Sequence, residues 1–268
     1  AALELGSTAV RLGAAEVQAG ARGRIRLSET SWSPQRIVAR GSLSGLVVDT
    51  AERPRARSRG PGPLTLGANW DLSLGETLAG EARVFRESGD IRVEGELSTR
   101  LGLETLQAVL TAQGDRLAVA VEAVGSEFGR LGGTASLRAQ RSASGMWSVP
   151  PEAALQGAAQ LDMPSITWLG RLMQENVETA GEIKGAFTIG GTVAAPAASG
   201  SIEGRKLQLA LVDQGLQLSG GEFDLSFSRD RLRLDRLSFV SPNRVKPRDS
   251  RIPLARLSAA RPSTIVPV

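Results

Sequence analysis

The sequence predicts an all-β protein: a long antiparallel sheet, apolar on one face and wet on the other, interrupted once by a short helix. Three observations predict it. Apolar residues fall on every second position through most of the 268 residues, as in Leu207, Leu209 and Leu211 or Phe223, Leu225 and Phe227, with polar residues between them. Turn chemistry separates these runs at intervals of roughly 8 to 12 residues, which favours strand-after-strand connections. Aromatics are only 4% while Gly reaches 31 and Pro 13, so the apolar face is built from Leu, Val and Ala on a strongly curved, turn-rich sheet.

The first fifty residues already alternate, with Leu3 and Leu5, Val10 and Leu12, Ile25 and Leu27, then Ile37, Ala39 and Leu43. Arg53, Arg55, Arg57 and Arg59 then occupy alternate positions before Gly60-Pro61-Gly62-Pro63. Extended, they would present one guanidinium face to phosphate or lipid headgroups, but Pro/Gly/Arg composition disfavours packing and the expected form is a solvated loop. Strands resume at Leu64, Leu66, Ala68, Trp70, Leu72 and Leu74. Ala82 and Val84 follow, and the alternation is expected to continue through Ile91, Val93, Gly95 and Leu97 across the turn Ser88-Gly89-Asp90. Leu106, Ala108 and Leu110 face Leu117, Val119 and Val121 across Gln113-Gly114-Asp115, the pattern of a hairpin. Further strands are expected at Leu131 to Leu137 and, after a Ser/Gly/Pro loop, at residues 155 to 161.

The period then changes. Ile166, Leu169, Leu172 and Met173 follow Pro164-Ser165 at helical spacing, which predicts a short helix near 165–175 with Ser165 as N-cap, either covering part of the sheet or burying its own apolar face on the sheet edge. Strand patterning returns from Gly181 to Ser241. Gly190-Gly191 with Pro196, Asp213-Gln214-Gly215, Gly220-Gly221 and Ser228-Arg229-Asp230 are expected to be its breaks. Ala39 to Gly45 echoes Ala198 to Gly204, a recurring local device with no strict period. The expected organisation is one continuous fold with a sheet segment at 1–160, a helix and connection at 161–180, and a second sheet segment at 181–268.

Composition removes several chemistries. The chain has no Cys, no His and no Tyr, so thiolate nucleophiles, Cys metal sites and the commonest general base are missing. The three lysines, Lys184, Lys206 and Lys246, precede Gly, Leu and Pro, so no phosphate loop is present, and Gly41-Ser42-Leu43-Ser44-Gly45 has Leu where a nucleophile elbow needs Ser. Glu94 and Glu96 fall on the expected wet face, which offers no burial to split their pKa values. The expected protein is therefore no enzyme and takes no cofactor or metal. Basic residues cluster from Arg229 to Arg261 without interleaved aromatics, which argues against stacking on nucleic acid. No run reaches the roughly 18 apolar residues of a membrane helix. The chain starts and stops within strand-like text, so it is expected to be part of a longer protein.

From Gly185 to Leu254 the text resembles the TamB family of the AsmA-like superfamily. The residues that carry the resemblance are Gly190-Gly191-Thr192-Val193-Ala194-Ala195-Pro196, Gly200-Ser201-Ile202, Asp213 to Gly221 and Arg231 to Pro242, with Trp168-Leu169-Gly170 also similar. The resemblance implies a U-shaped, taco-like β-groove in the periplasm of a Gram-negative bacterium, held to the inner membrane by an anchor outside this chain. It further implies phospholipid acyl chains as cargo, an Omp85-class barrel, TamA, as partner, and a role in lipid transport and outer-membrane protein or autotransporter assembly, with no catalytic residues. The residues expected to line the groove are Leu207, Leu209, Leu211, Phe223, Leu225, Phe227, Leu232 and Leu234. An alternative is an assembly scaffold whose edge pairs with unfolded outer-membrane strands without conducting lipid. Some eighteen strands at ~4.8 Å spacing would give a groove on the order of 80 to 90 Å long.

Overall fold

The computed structural model describes residues 3–5, 10–18, 23–33, 36–48, 62–93, 99–173, 176–229, 231–240, 257–258 and 263–264. The four alternate arginines at 53–59, Glu94 to Leu97 and most of the basic stretch beyond Ser241 lie outside the described residues.

The described residues form one large antiparallel sheet of seventeen strand segments that does not close into a barrel. The long strands are β1 (Arg24–Ser33), β2 (Arg36–Val48), β3 (Leu64–Leu74), β4 (Leu78–Ser88), β5 (Leu103–Gly114) and β6 (Arg116–Gly125). They continue as β7 (Gly129–Arg138), β8 (Gln156–Met163), β9 (Val177–Gly191), β10 (Pro196–Leu211), β11 (Leu216–Ser228) and β12 (Arg231–Val240). Each pairs antiparallel with the next, so the topology is a meander from β1 to β12. Short segments extend both edges. Val10–Leu12 and Ala15–Gln18 both pair with β1, and Leu257–Ser258 and Ser263–Thr264 both pair with β12. Because segments share rows, the ladder is shorter than a count of segments implies.

Strand alternation predicts most of these elements, and the expected hairpin at Gln113-Gly114-Asp115 is present, with Gln113 opposite Arg116. Two expectations are corrected. Gly220-Gly221 is no turn: it lies inside β11, where the register against β10 and β12 shifts and Gly220 adopts φ 58°. The extra residue of this β-bulge reverses the parity of the strand, so even-numbered Leu216 and Leu218 share a face with odd-numbered Phe223, Leu225 and Phe227. A partner bulge between Gly204 and Leu207 does the same for β10, with Lys206 at φ 53°. The echoing segment near Gly45 has the same device, since β2 shifts register between Leu43 and Leu46 with Gly45 at φ 68°.

The second correction concerns residues 89–102. Ile91 begins no strand of the large sheet: among the described residues the chain leaves that sheet after β4 and pairs Arg92–Val93 with Thr99–Arg100 before returning as β5. The buried Asp90 holds this excursion in place. One carboxylate oxygen accepts from the amides of Ile91 (2.8 Å) and Leu103 (2.9 Å), and the other from Gly102 (3.1 Å). Removing the carboxylate leaves three amide donors without it, and an unsatisfied buried donor costs about 1–3 kcal/mol. We expect Asp90→Ala to lower stability by roughly 2–3 kcal/mol in denaturant melts while the strand spectrum of the folded state is unchanged.

The hydrophobic core is divided into small clusters at the two rims of the sheet. One comprises Leu64, Leu103 and Phe128 with Met163 and Trp168 against it, and the other Leu78, Ala112 and Ala139 with Leu117 and Trp147. No large side chain among the described residues is fully buried. A sheet of this size with no central core leaves most of one apolar face uncovered.

Candidate functional site: an apolar trough across the strands

The register places most apolar residues of each strand on one face, with Val38, Phe85 and Val109 among those on the other. Following paired positions from strand to strand, Val17 stands beside Ile25, then Leu43, Ala68, Val84 and Ala108. The same row continues through Val121, Gly133, Ala159, Phe187, Gly200, Phe227 and Leu232. At ~4.8 Å per step this floor runs roughly 60 Å perpendicular to the strands. Every position in it is apolar or glycine. A parallel row links Ala123, Leu131, Leu161, Gly185, Ile202, Leu225 and Leu234.

This face is open. Val17 is 52% exposed, Val84 44%, Val121 48% and Leu232 45%, values that describe floor residues with nothing above them. Isolated exposed hydrophobics are ordinary on any protein; a register-matched row of them is a contiguous apolar surface.

Rings lie flat on this floor because glycines accept them. Trp70 is paired with Gly41, Phe223 with Gly204, and Phe239 lies over Gly221; a Cβ at those glycines would meet the ring at 2.5, 2.3 and 2.2 Å respectively. Phe187, whose ring lies over Gly185, and Phe227 both pair with Gly200 and have ring centroids 5.6 Å apart. A ring seated on a glycine adds apolar area without standing up into the trough.

Both rims overhang the middle of the trough. On one side α1 (Thr167–Met173) docks onto the apolar face of β9: Thr179 Oγ1 accepts from the Gly170 amide (2.9 Å) and donates to the Ile166 carbonyl (2.7 Å). The helix is seven residues long, and Ser165 Oγ accepts from the Thr167 amide at 3.4 Å, the expected N-cap in a long, weak form. Its Trp168 joins the Leu64, Leu103 and Phe128 cluster. On the other side the pair Gln140–Arg141 and Trp147–Ser148 folds back over β6, β5, β4 and the end of β3, where Trp147 Nε1 donates to the Gly75 carbonyl at 2.9 Å.

The opposite face is polar and cross-linked between strands. Arg40 of β2 reaches Asp71 of β3 (2.8 Å) and Glu29 of β1 (2.5 Å), and Arg205 of β10 reaches Asp224 of β11 (2.6 Å) and Glu203 (3.0 Å). Arg83, Gln107 and Glu122 make a hydrogen-bonded ladder over β4, β5 and β6. The hydrogen bond to Asp71, with its charge and then Glu29, holds the Arg40 guanidinium above the ordinary arginine range. Arg205 is raised likewise, first by its hydrogen bond to Asp224. A raised folded-state pKa contributes stability below the unfolded value and loses it only as pH rises through the folded one, so this contribution is constant between about pH 6 and pH 10. Because these pairs are solvent-screened, we expect Arg40→Gln to shift the unfolding midpoint only slightly at low salt and not at all in high salt, measured by thermal melts at both ionic strengths.

The eight lining residues predicted from sequence all lie on the apolar face. Leu207 is buried, Leu209, Leu211, Phe223, Leu225, Phe227 and Leu234 are half-buried, and Leu232 is exposed. The floor positions in β1 to β9 were not among them, although the same alternation marks them. The overhanging Phe128, Trp147 and Trp168 carry no periodic signal, and only their ring chemistry inside turn-rich text distinguishes them.

No protein-family model matches the chain, and no curated protein or solved structure is significantly similar to it.

Proposed function

We propose that this chain is a non-catalytic, TamB-like segment of a bacterial envelope protein whose trough carries phospholipid acyl chains between membranes. The observation that supports this reading most is the unbroken apolar row from Val17 to Leu232, in which Val17, Val84, Val121 and Leu232 are exposed and the positions between them half-buried.

Magnitudes favour conduction over tight binding. Full burial of a methylene is worth ~0.8 kcal/mol, so a chain laying about a dozen half-covered carbons on the floor gains roughly 5 kcal/mol, a sub-millimolar affinity. Two chains of one lipid together reach roughly 10 kcal/mol before ordering costs. A lipid held so, without a specific pocket, can stay on the floor and still shift along it. In this reading the chain acts in the periplasm, its full-length protein is anchored in the inner membrane, and an Omp85-class barrel receives the far end.

Native mass spectrometry of the purified chain with lipid extraction tests the proposal. Co-purifying phospholipid, lost when Leu209 and Leu225 are both made charged, is the expected result; a folded chain free of lipid would contradict it. The scaffold reading has one observation of its own: among the described residues, β12 is paired on its far side only at Arg233–Leu234 and Ser238–Phe239. Crosslinks from that edge to nascent barrel strands, with none from floor positions, would favour it.

A further inference from the structure

Under the Trp147 overhang the apolar face becomes a slot. A half-open cleft of about 250 Å³ lies between the ends of β3, β4, β5 and β6 below and the 139–149 segment above, lined chiefly by Leu74, Leu78, Leu110, Ala112, Leu117 and Trp147. Two features decide what fits it. No charged side chain lines the slot, and its polar side chains are Ser73 and Ser148 alone. The one nitrogen that could recognise a polar group, Trp147 Nε1, is already committed to the Gly75 carbonyl, so the indole presents hydrocarbon to the cavity. A headgroup, carboxylate or phosphate would lose its hydration there with no partner in return.

The slot joins the floor directly. Leu110 is paired with Val119 of β6 and with Ala82 of β4, and the next row over is the exposed floor at Ala108, Val121 and Val84. At ~30 Å³ per methylene-sized group, the volume accommodates about eight. We propose that this slot binds the methyl-terminal end of one acyl chain, holding the tail under Trp147 while the rest of the chain lies along the floor with its headgroup at the open face. The inference rests on the acyl-chain reading of the trough and names which part of the molecule is held and where. A chain moving along the floor would pause at this site, because here the 139–149 segment covers hydrocarbon from above.

The test uses the full chain with Trp32, Trp70 and Trp168 replaced by Phe, so that fluorescence reports Trp147 alone. The probes are hexadecanoic acid carrying bromine at the terminal carbon or at carbon 2, with binding measured separately by radiolabelled hexadecanoic acid. The terminal bromine is expected to quench Trp147 by roughly half and the carbon-2 bromine hardly at all, since heavy-atom quenching needs contact in the pocket. Ala112→Leu, which fills the slot from beneath, is expected to abolish the terminal quenching while radiolabelled acid still binds the trough and the strand spectrum is unchanged. Equal quenching by both probes, or none, with binding intact would overturn the slot assignment alone. Absence of bound radiolabel would overturn the acyl-chain reading of the trough and the slot with it.

Discussion

Val121→Glu leaves the protein folded and removes its lipid. Val121 is 48% exposed on the floor, so a carboxylate there remains hydrated in the empty protein and stability changes by no more than about 0.5 kcal/mol. With hydrocarbon over it the same carboxylate must lose water or push the chain aside, a penalty of roughly 3 kcal/mol for a charge facing hydrocarbon, equivalent to ~100-fold in affinity. Thr134→Glu on the neighbouring strand is the control, because Thr134 is paired with Ala120 on the polar face and its replacement is expected to leave lipid occupancy unchanged. Phospholipid recovered per mole of each purified variant, beside its melting curve, reads both outcomes.

The largest stability effect is expected at Gly80. Its φ is +120°, and a Cβ there would stand 1.9 Å from the Asp71 carbonyl oxygen and 2.9 Å from Leu72 Cα, both backbone atoms that cannot rotate away. Conformational strain and a backbone clash act together, so Gly80→Ala is expected to cost at least about 3 kcal/mol and to open the β3–β4 pairing. Gly114 separates the two causes. It has φ +68° with nothing within 4 Å of where a Cβ would stand, so Gly114→Ala carries strain alone and is expected to cost about 1–2 kcal/mol. Equal losses for the two variants in urea melts would contradict this division.

The sheet was legible in the sequence because a period of two survives in almost every strand, and a strand with one wet face has no other way to pattern itself. The place of the β10 to β12 apolar residues on one face was legible for the same reason. What alternation cannot convey is a change of parity. Gly220-Gly221 reads as a turn because a glycine pair usually is one, yet here it supplies the positive φ of a bulge that keeps Leu218 and Phe223 on one face. Ile91 fails in the opposite sense: its spacing matches a strand, but three amides gathered by Asp90 draw the segment off the sheet and into the rim. The helix was legible from its change of period, but the Trp147 overhang was not, since that ring acts through contacts with residues far away in the chain. Its cover, and the slot it creates, are tertiary facts.

Photo-crosslinking from single floor positions tests the trough most directly. A benzophenone side chain placed in turn at Ile25, Val84, Val121, Ala159 and Leu232, and on the opposite face at Thr134 and Ser201, is exposed to light in cells fed radiolabelled acyl chains. The account predicts label at all five floor positions and none at the two polar-face positions. Label confined to one end of the row, or spread equally over both faces, would contradict it.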